Sequence, residues 1–270
     1  MAITTVDWLV ASAKQKLLIT KTASFTTVAL NMFSTLDVAW QPWAWSLSVW
    51  NTANWLVPTD ATNWFPLLQA FGGGATWYIT DIEFSSSVVS RLNLFDRLFH
   101  AWSFVCTSLT TFNLTSQPSY SWRLPNTDYT WLRIFIEINA AMAASATTVS
   151  VWYTNADWTA GRSTGASASL SWFTTRRLIE LPLQAWDNGV QKIDSITVWG
   201  ATNASWTFNI IVARPLVQNM RVPVVWAGDI LWFDRVWMPV IYADSALRLV
   251  VNADSTASWI PDILLTVANW

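Results

Sequence analysis

Tryptophan stands in this chain where a turn would be expected to carry glycine. The 270 residues include 22 Trp and only 8 Gly, although glycine alone averages about 7% of residues and tryptophan is far rarer. Asn54-Trp55, Asn63-Trp64, Asp157-Trp158 and Asn269-Trp270 place Trp directly after Asn or Asp. That is the second slot of a tight turn, where positive φ favours a residue without a β-carbon. The run Ala39-Trp40-Gln41-Pro42-Trp43-Ala44-Trp45-Ser46, with Val49-Trp50-Asn51 after it, is an unusually aromatic loop as written and an ordinary small-residue linker if those positions hold glycine. The same applies to Gln184-Ala185-Trp186-Asp187-Asn188-Gly189. The pattern is that of a reassigned stop codon, since UGA specifies Trp in some genetic codes and Gly in others. Genuine tryptophans throughout would instead give a heavily aromatic, adhesive surface.

Pattern therefore outweighs composition, because the 53% apolar fraction and the mean hydropathy of +0.30 both count these tryptophans. A chain of this length buries a substantial core without disulfides. Cys106 is the only cysteine, so no intrachain bridge or thiolate zinc site is available, and its neighbours Phe104 and Val105 predict burial. A net charge of −2 with 12% charged residues supplies no basic field for nucleic acid. The first residues lack the basic start and apolar run of a secretory signal, and no segment reaches the ~20 apolar residues of a membrane span. The sequons at Asn113 and Asn203 read as chance matches, and the expected site of synthesis is the cytoplasm.

Asp7 is placed to cap a helix running to about Leu18, with Leu9, Val10, Ala13 and Leu17 near helical spacing. Ala23 to Phe33 is strand-like. Ser34 to Pro66 is poor in charge, rich in small residues and broken by Pro42, Pro58 and Pro66. It is expected to be an extended arm that packs on a neighbouring chain, because it cannot bury enough of itself to offset ordering. From Thr76 short apolar segments succeed one another: 78–84, 87–94, 103–109, 132–139, 147–154, 176–183, 190–198, 207–212, 222–225, 246–252 and 262–267. Leu132, Ile134 and Ile136 alternate with Arg133, Phe135 and Glu137. The expected fold is mainly β, a β-sandwich of jelly-roll type with a short N-terminal helix and an extended arm. Its expected divisions are 1–66 for helix, strand and arm, 67–215 for the main sandwich, and 216–270 as a segment that completes the sandwich or forms a small lobe. Pro215 and Pro223 bracket a hinge before that last segment. No fixed-period repeat is present.

Chemistry-bearing residues are sparse. His100 is the only histidine and sits in an apolar segment, which predicts a hydrogen-bonded structural role and excludes a multi-histidine metal site. Gly72-Gly73-Gly74 lacks the lysine and helix of a phosphate loop. Asp81 and Glu83 share a strand face with no third acidic ligand nearby. Asp229, Asp244 and Asp254 fall in turns, where Asp bonds its own backbone, and Arg176-Arg177 reads as a rim salt bridge. The sequence thus points to no catalytic residue, no metal site and no cofactor.

Several phrases together resemble an uncharacterised group of virion structural proteins of tailed bacteriophages, along most of the chain. They are Val6-Asp7-Trp8-Leu9-Val10, Val57-Pro58-Thr59-Asp60-Ala61-Thr62, Leu94-Phe95-Asp96-Arg97-Leu98, Tyr153-Thr154-Asn155-Ala156-Asp157-Trp158-Thr159-Ala160-Gly161-Arg162, and Leu181-Pro182-Leu183-Gln184-Ala185-Trp186-Asp187-Asn188-Gly189-Val190. Pro239-Val240-Ile241-Tyr242, followed by Asp244 and Ala246-Leu247, completes the set. The departure is tryptophan itself, since the group tends to carry glycine or another small residue at positions such as Trp158, Trp186 and Trp237. The resemblance implies a non-enzymatic particle component and supplies no site residue. A strand-rich chain lacks the long spine helix expected of the common tailed-phage coat protein, so a head decoration or cement protein that bridges capsid subunits is expected. Its partners would be further copies of itself, as trimers on the capsid lattice, and the capsid subunits, with neither specific nucleic acid nor membrane involved. The alternatives are a β-type coat subunit, a tail or fibre component, and a carbohydrate-binding module that stacks sugars on exposed Trp.

Overall fold

The computed structural model describes residues 6–12, 14–22, 25, 27–35, 37–41, 55–60, 76–106, 109–142, 147–200, 207–256 and 260–269. Among these are seventeen β strands, two short α helices and two 3-10 turns. All strand ladders are antiparallel. The chain is mainly β, as the succession of short apolar segments predicts.

The N-terminal helix is shorter than expected. Helix α1 covers Val6–Ala11, and Lys14–Lys21 forms strand β1 instead of continuing to Leu18 as helix. Leu17 and Ile19 are buried while Leu18 between them is exposed. On a helix those two side chains would diverge by about 200°, whereas on a strand they share one face. They pair with Leu265 and Ile263 of β17 (Pro261–Asn269).

The described strands form three sheets. The first runs β14 (Asp229–Leu231), β5 (Trp77–Ser86), β17, β1 and β3 (Trp40–Gln41), with β15 (Val240–Ile241) also pairing with β5. The second runs β10 (Arg162–Ser163), β9 (Thr148–Asn155), β12 (Val190–Trp199) and β7 (Thr110–Asn113). The third runs β13 (Thr207–Val222), β8 (Arg133–Ile138), β11 (Arg177–Leu181), β2 (Met32–Ser34), β16 (Leu247–Ala253), β6 (Ser90–Val105) and β4 (Trp55–Leu56). Because β6 also pairs with β13, six strands of this sheet close into a ring, which removes the free edges an open sheet would present. A jelly roll has eight strands in two sheets, and that arrangement does not appear in this pairing order.

The long strands β6 and β13, with 16 residues each, span roughly 50 Å and serve two cores. One core lies against the second sheet and contains Leu98, Phe104, Ile134, Ile136, Val151, Ile196 and Phe208. The other lies against the first sheet and contains Leu92, Leu94, Ile82, Leu249, Ile263 and Leu265. A third cluster, with Phe95, Phe135, Leu178, Ile211 and Val250, belongs to strands of the ring. Strand β8 is consequently buried on both faces: Ile134 and Ile136 enter the first core, while Phe135 meets Phe95 edge-on at 5.3 Å between ring centroids.

Sequence pattern interrupts β6 and β13 where the structure continues them. Ser103 takes a positive φ of 59° beside a register shift against β13, and its N–H donates to Asn209 Oδ1 at 3.1 Å. A bulge of this kind interrupts alternation without ending the strand. Pro215, expected near a hinge, lies inside β13 opposite Phe95, next to another register shift, which is where a sheet tolerates a residue without an N–H.

The described parts of Ser34 to Pro66 lie on the chain's own sheets. Thr35 donates to Leu249 O at 2.9 Å, Val38 is buried in the second core, β3 pairs with β1 and β4 pairs with β6. For these stretches the expectation of packing on a neighbour is corrected, because strand pairing within the chain satisfies their backbone. Residues 36, 42–54 and 61–66 lie outside the described residues.

Candidate functional site

Two dense knots of polar side chains stand out among the described residues. The first is centred on Asp96 of β6. Its carboxylate accepts from Arg123 and Arg214, from Ser245 Oγ at 3.1 Å and from the Ala246 N–H at 3.0 Å. Arg123, from the 3-10 turn Ser121–Arg123, also donates to Pro58 O and to Arg97 O. Arg214 of β13 donates to Val240 O at 2.7 Å. Both Asp96 and Arg123 are fully buried, where a charge is tolerated only when paired and hydrogen-bonded.

The knot continues along β6. Arg97 donates to Glu137 of β8 at 2.8 Å and to His100 Nδ1 at 2.6 Å, and Asn209 of β13 donates to Glu137 at 3.1 Å. Since guanidinium only donates, Nδ1 must accept and the ring proton resides on Nε2. Burial, then the nearby Arg97 and Arg248 cations, hold the His100 pKa well below the usual histidine value. His100 is therefore a neutral, hydrogen-bonded residue of the interior.

The second knot gathers the loops beyond β9 and β11. Asp187 accepts from Tyr153 Oη at 2.7 Å, from Asn155 Nδ2 at 2.8 Å, and from both Nε and Nη2 of Arg162 at 2.8 to 3.1 Å. The Gln184 N–H donates in turn to Tyr153 Oη. The Arg162 hydrogen bonds hold the Asp187 carboxyl down at about 2. Gly189 allows the loop to close: a β-carbon there would lie 2.0 Å from Tyr129 O, so glycine is obligatory.

Beside this knot opens a groove of about 470 Å³, with Trp131 and Trp186 among its lining and the Arg133–Glu180 ion pair along one side. A second groove, about 430 Å³, carries Glu83, Asp229 and Asp262 on its wall; burial raises the Asp262 pKa.

The residues singled out in the sequence are dispersed. Asp81 accepts from Thr80 Oγ1, and Glu83 faces Lys16 at 3.8 Å. Arg176 pairs with Asp37 at 2.7 Å, whereas Arg177 lies over the Phe173 ring. Cys106 is buried and its thiol is pushed up to about 11. Gly72 to Gly74 and Asn203 lie outside the described residues. Among the described residues no three His, Cys, Asp or Glu side chains gather as metal ligands, and no helix is long and apolar enough to cross a membrane.

Sequence reasoning missed both knots. Part of the signal was present in another form, since the phrases that carry the resemblance supply the members of the second knot and some of the first, whose Arg123, Arg214, Ser245 and Glu137 lie outside them. Pro58, Asp96, Arg97, Val240 and Ala246 meet in the first knot; Tyr153, Asn155, Arg162, Gln184 and Asp187 meet in the second.

No protein-family profile and no curated protein matches the chain. Solved structures with some likeness include the VP2 subviral particle of infectious bursal disease virus, 8% identical, with a TM-score of 0.22 over 95% of this chain and 80% of that one. The Gx strain of the same virus gives 9% identity and a TM-score of 0.21 over 95% and 82% of the two chains. At such TM-scores the likeness carries no argument about fold or function.

Proposed function

We propose that this chain is a non-enzymatic structural component of a virus particle, a decoration or cement protein on the head of a tailed bacteriophage, bridging neighbouring capsid subunits. The observation that carries the proposal is where the resembling phrases go. In the second knot their polar groups are spent on one another. In the first, phrase residues separated by up to 188 positions from Pro58 to Ala246 are tied together through Asp96 and through Arg123 and Arg214 from outside the phrases, and both knots fasten strands and loops. Shared phrases of that kind mark a shared scaffold, not shared chemistry. A rigid antiparallel framework with its ring closed suits a part that must bear load. Its partners are further copies of the chain, as trimers, and the capsid subunits, and its place is the virion.

Quantitative mass spectrometry of purified particles tests this. A copy number comparable to the major shell protein supports decoration, or a coat subunit if no other abundant shell protein is found. A few copies per particle would assign the chain to the tail or a fibre, and absence from particles would overturn the proposal. The groove flanked by Trp131 and Trp186 is the feature that would favour a carbohydrate-binding module. Binding of a glycan array by the purified protein would support that rival.

A further inference from the structure

Six tryptophans adopt the left-handed backbone region: Trp131, Trp158, Trp172, Trp186, Trp226 and Trp237, with φ between 58° and 75°. Among the described residues they make up six of the fourteen non-glycine residues with positive φ, a concentration that bulk alone cannot produce, since an indole gains nothing there and Asn or Asp is the usual non-glycine occupant. All six are exposed, from 56% for Trp226 to 99% for Trp186. The true glycines Gly161 and Gly165 take the same conformation, at φ 74° and 69°. Trp237 follows α2 (Phe233–Val236) as its left-handed cap, at φ 61° and ψ 15°, the position at which helices end on glycine.

Other tryptophans behave differently. Trp77 lies in β5, 2% exposed, in the core beneath the first sheet. Trp55, one of the residues whose Asn-Trp context had the look of a turn, opens β4 and packs against the core beneath the second sheet, so the turn expectation is corrected there. The described tryptophans therefore include residues used as aromatic side chains, such as Trp77 and Trp55, and residues occupying backbone sites that need no side chain.

We infer that the protein made by its own organism carries glycine at 131, 158, 172, 186, 226 and 237, each specified by UGA and inserted by a glycine-charged tRNA that reads this codon, while Trp77 and Trp55 are tryptophans specified by UGG. The genome belongs to a host, or to a virus of a host, in which UGA means glycine. With glycine at 131 and 186 the groove between them loses both indoles, its only aromatic rings among the described residues, and keeps Leu183 and Ala185 beside Arg133, Glu180, Gln184 and Asn188. Neither position then offers a platform for stacking a sugar.

The test is peptide mass spectrometry of the protein isolated from its natural source, beside the codons of its gene. The expected result is UGA and a glycine residue mass at the six positions, with UGG and a tryptophan mass at Trp77. A tryptophan mass at Trp186 or Trp237, or UGG at most of the six, would overturn the inference. Stability supplies an independent reading on the purified recombinant protein. A chain with Gly at all six positions should unfold at a higher midpoint than the chain as written, and Trp77→Gly should lower it. Equal or lower stability for the six-glycine chain would count against the assignment. None of these readouts depends on where in a particle the protein resides.

Discussion

The pair Arg123–Asp96 gives the sharpest account of what the first knot contributes. Replacing Arg123 with Met keeps most of the hydrocarbon volume and removes the cation, so Asp96 retains only Arg214 at 3.4 Å as an ionic partner. Pro58 O and Arg97 O also lose their donor. Breaking one member of a buried pair costs about 3–5 kcal/mol, and the remaining Arg214 should bring Arg123→Met toward the lower end. Asp96→Asn should lie toward the upper end, because it leaves Arg123 and Arg214 facing each other with no anion between them. In a chain of this size each kcal/mol lowers Tm by roughly 2–4 °C, so the singles should fall by on the order of 6–20 °C. The double variant Asp96→Asn/Arg123→Met removes both charges and should be less destabilised than the sum of the singles, with a coupling of about 1–3 kcal/mol. Urea unfolding of all four proteins completes the cycle. Additivity within about 0.5 kcal/mol, or single losses below about 1 kcal/mol as for a surface pair, would refute the view that this knot ties the fold together.

Other expectations rest on single residues. Trp186→Gly should stabilise by about 0.5–1 kcal/mol, since relief of the left-handed strain is worth ~1–2 kcal/mol and the added freedom of unfolded glycine costs ~0.5–1 kcal/mol. Trp158→Gly should be near neutral, because Trp158 also meets Tyr129 edge-on at 6.1 Å, a contact worth about 0.5–1.5 kcal/mol; both are read by chemical denaturation, and losses of about 1 kcal/mol at both sites would contradict the backbone assignment. Gly189→Ala should destabilise by more than the ~1 kcal/mol typical of point mutants, since its β-carbon would meet the Tyr129 backbone, and a neutral result by thermal melting would show that the loop closes differently. His100 makes stability depend on pH. Its folded pKa is depressed, so its contribution is complete above the unfolded value of about 6.5 and falls by up to ~1.4 kcal/mol per pH unit as acid protonates only the unfolded chain. Arg97 and Arg248 face the ring and Glu137 is held by Arg97. His100→Gln, which keeps an acceptor for Arg97, should flatten the stability profile between pH 6.5 and 5, and an unchanged slope would exclude this histidine as the source.

The strands were legible where one rule governed them. Runs such as 132–139, 147–154, 190–198 and 262–267 appear as β8, β9, β12 and β17 with small changes at their ends, because short apolar, β-branched runs bounded by turn residues mark strands even where burial on both faces removes alternation. Where two rules competed, pattern failed. The segment around Leu17 has residues at both helical and strand spacing, and pairing with β17 decided for the strand. Bulges at Ser103 and beside Pro215 hid the continuity of β6 and β13. Ring closure depends on β6 meeting β13 across more than a hundred positions, and nothing local encodes it. The knots were invisible for a related reason: Asp96, Arg123 and Arg214 are ordinary charged residues until the fold places them together. The positive-φ tryptophans were legible early at Trp158 and Trp186, where Asp-Trp and the Ala-Trp-Asp-Asn-Gly context mark turns.

Electron cryomicroscopy of the particle tests the central claim most directly. The account predicts repeated copies of this three-sheet fold on the exterior of the head, arranged by the capsid symmetry and clustered as trimers that bridge adjacent coat subunits. Density for the fold confined to the tail or a single vertex, or a head whose exterior lacks it entirely, would contradict the account.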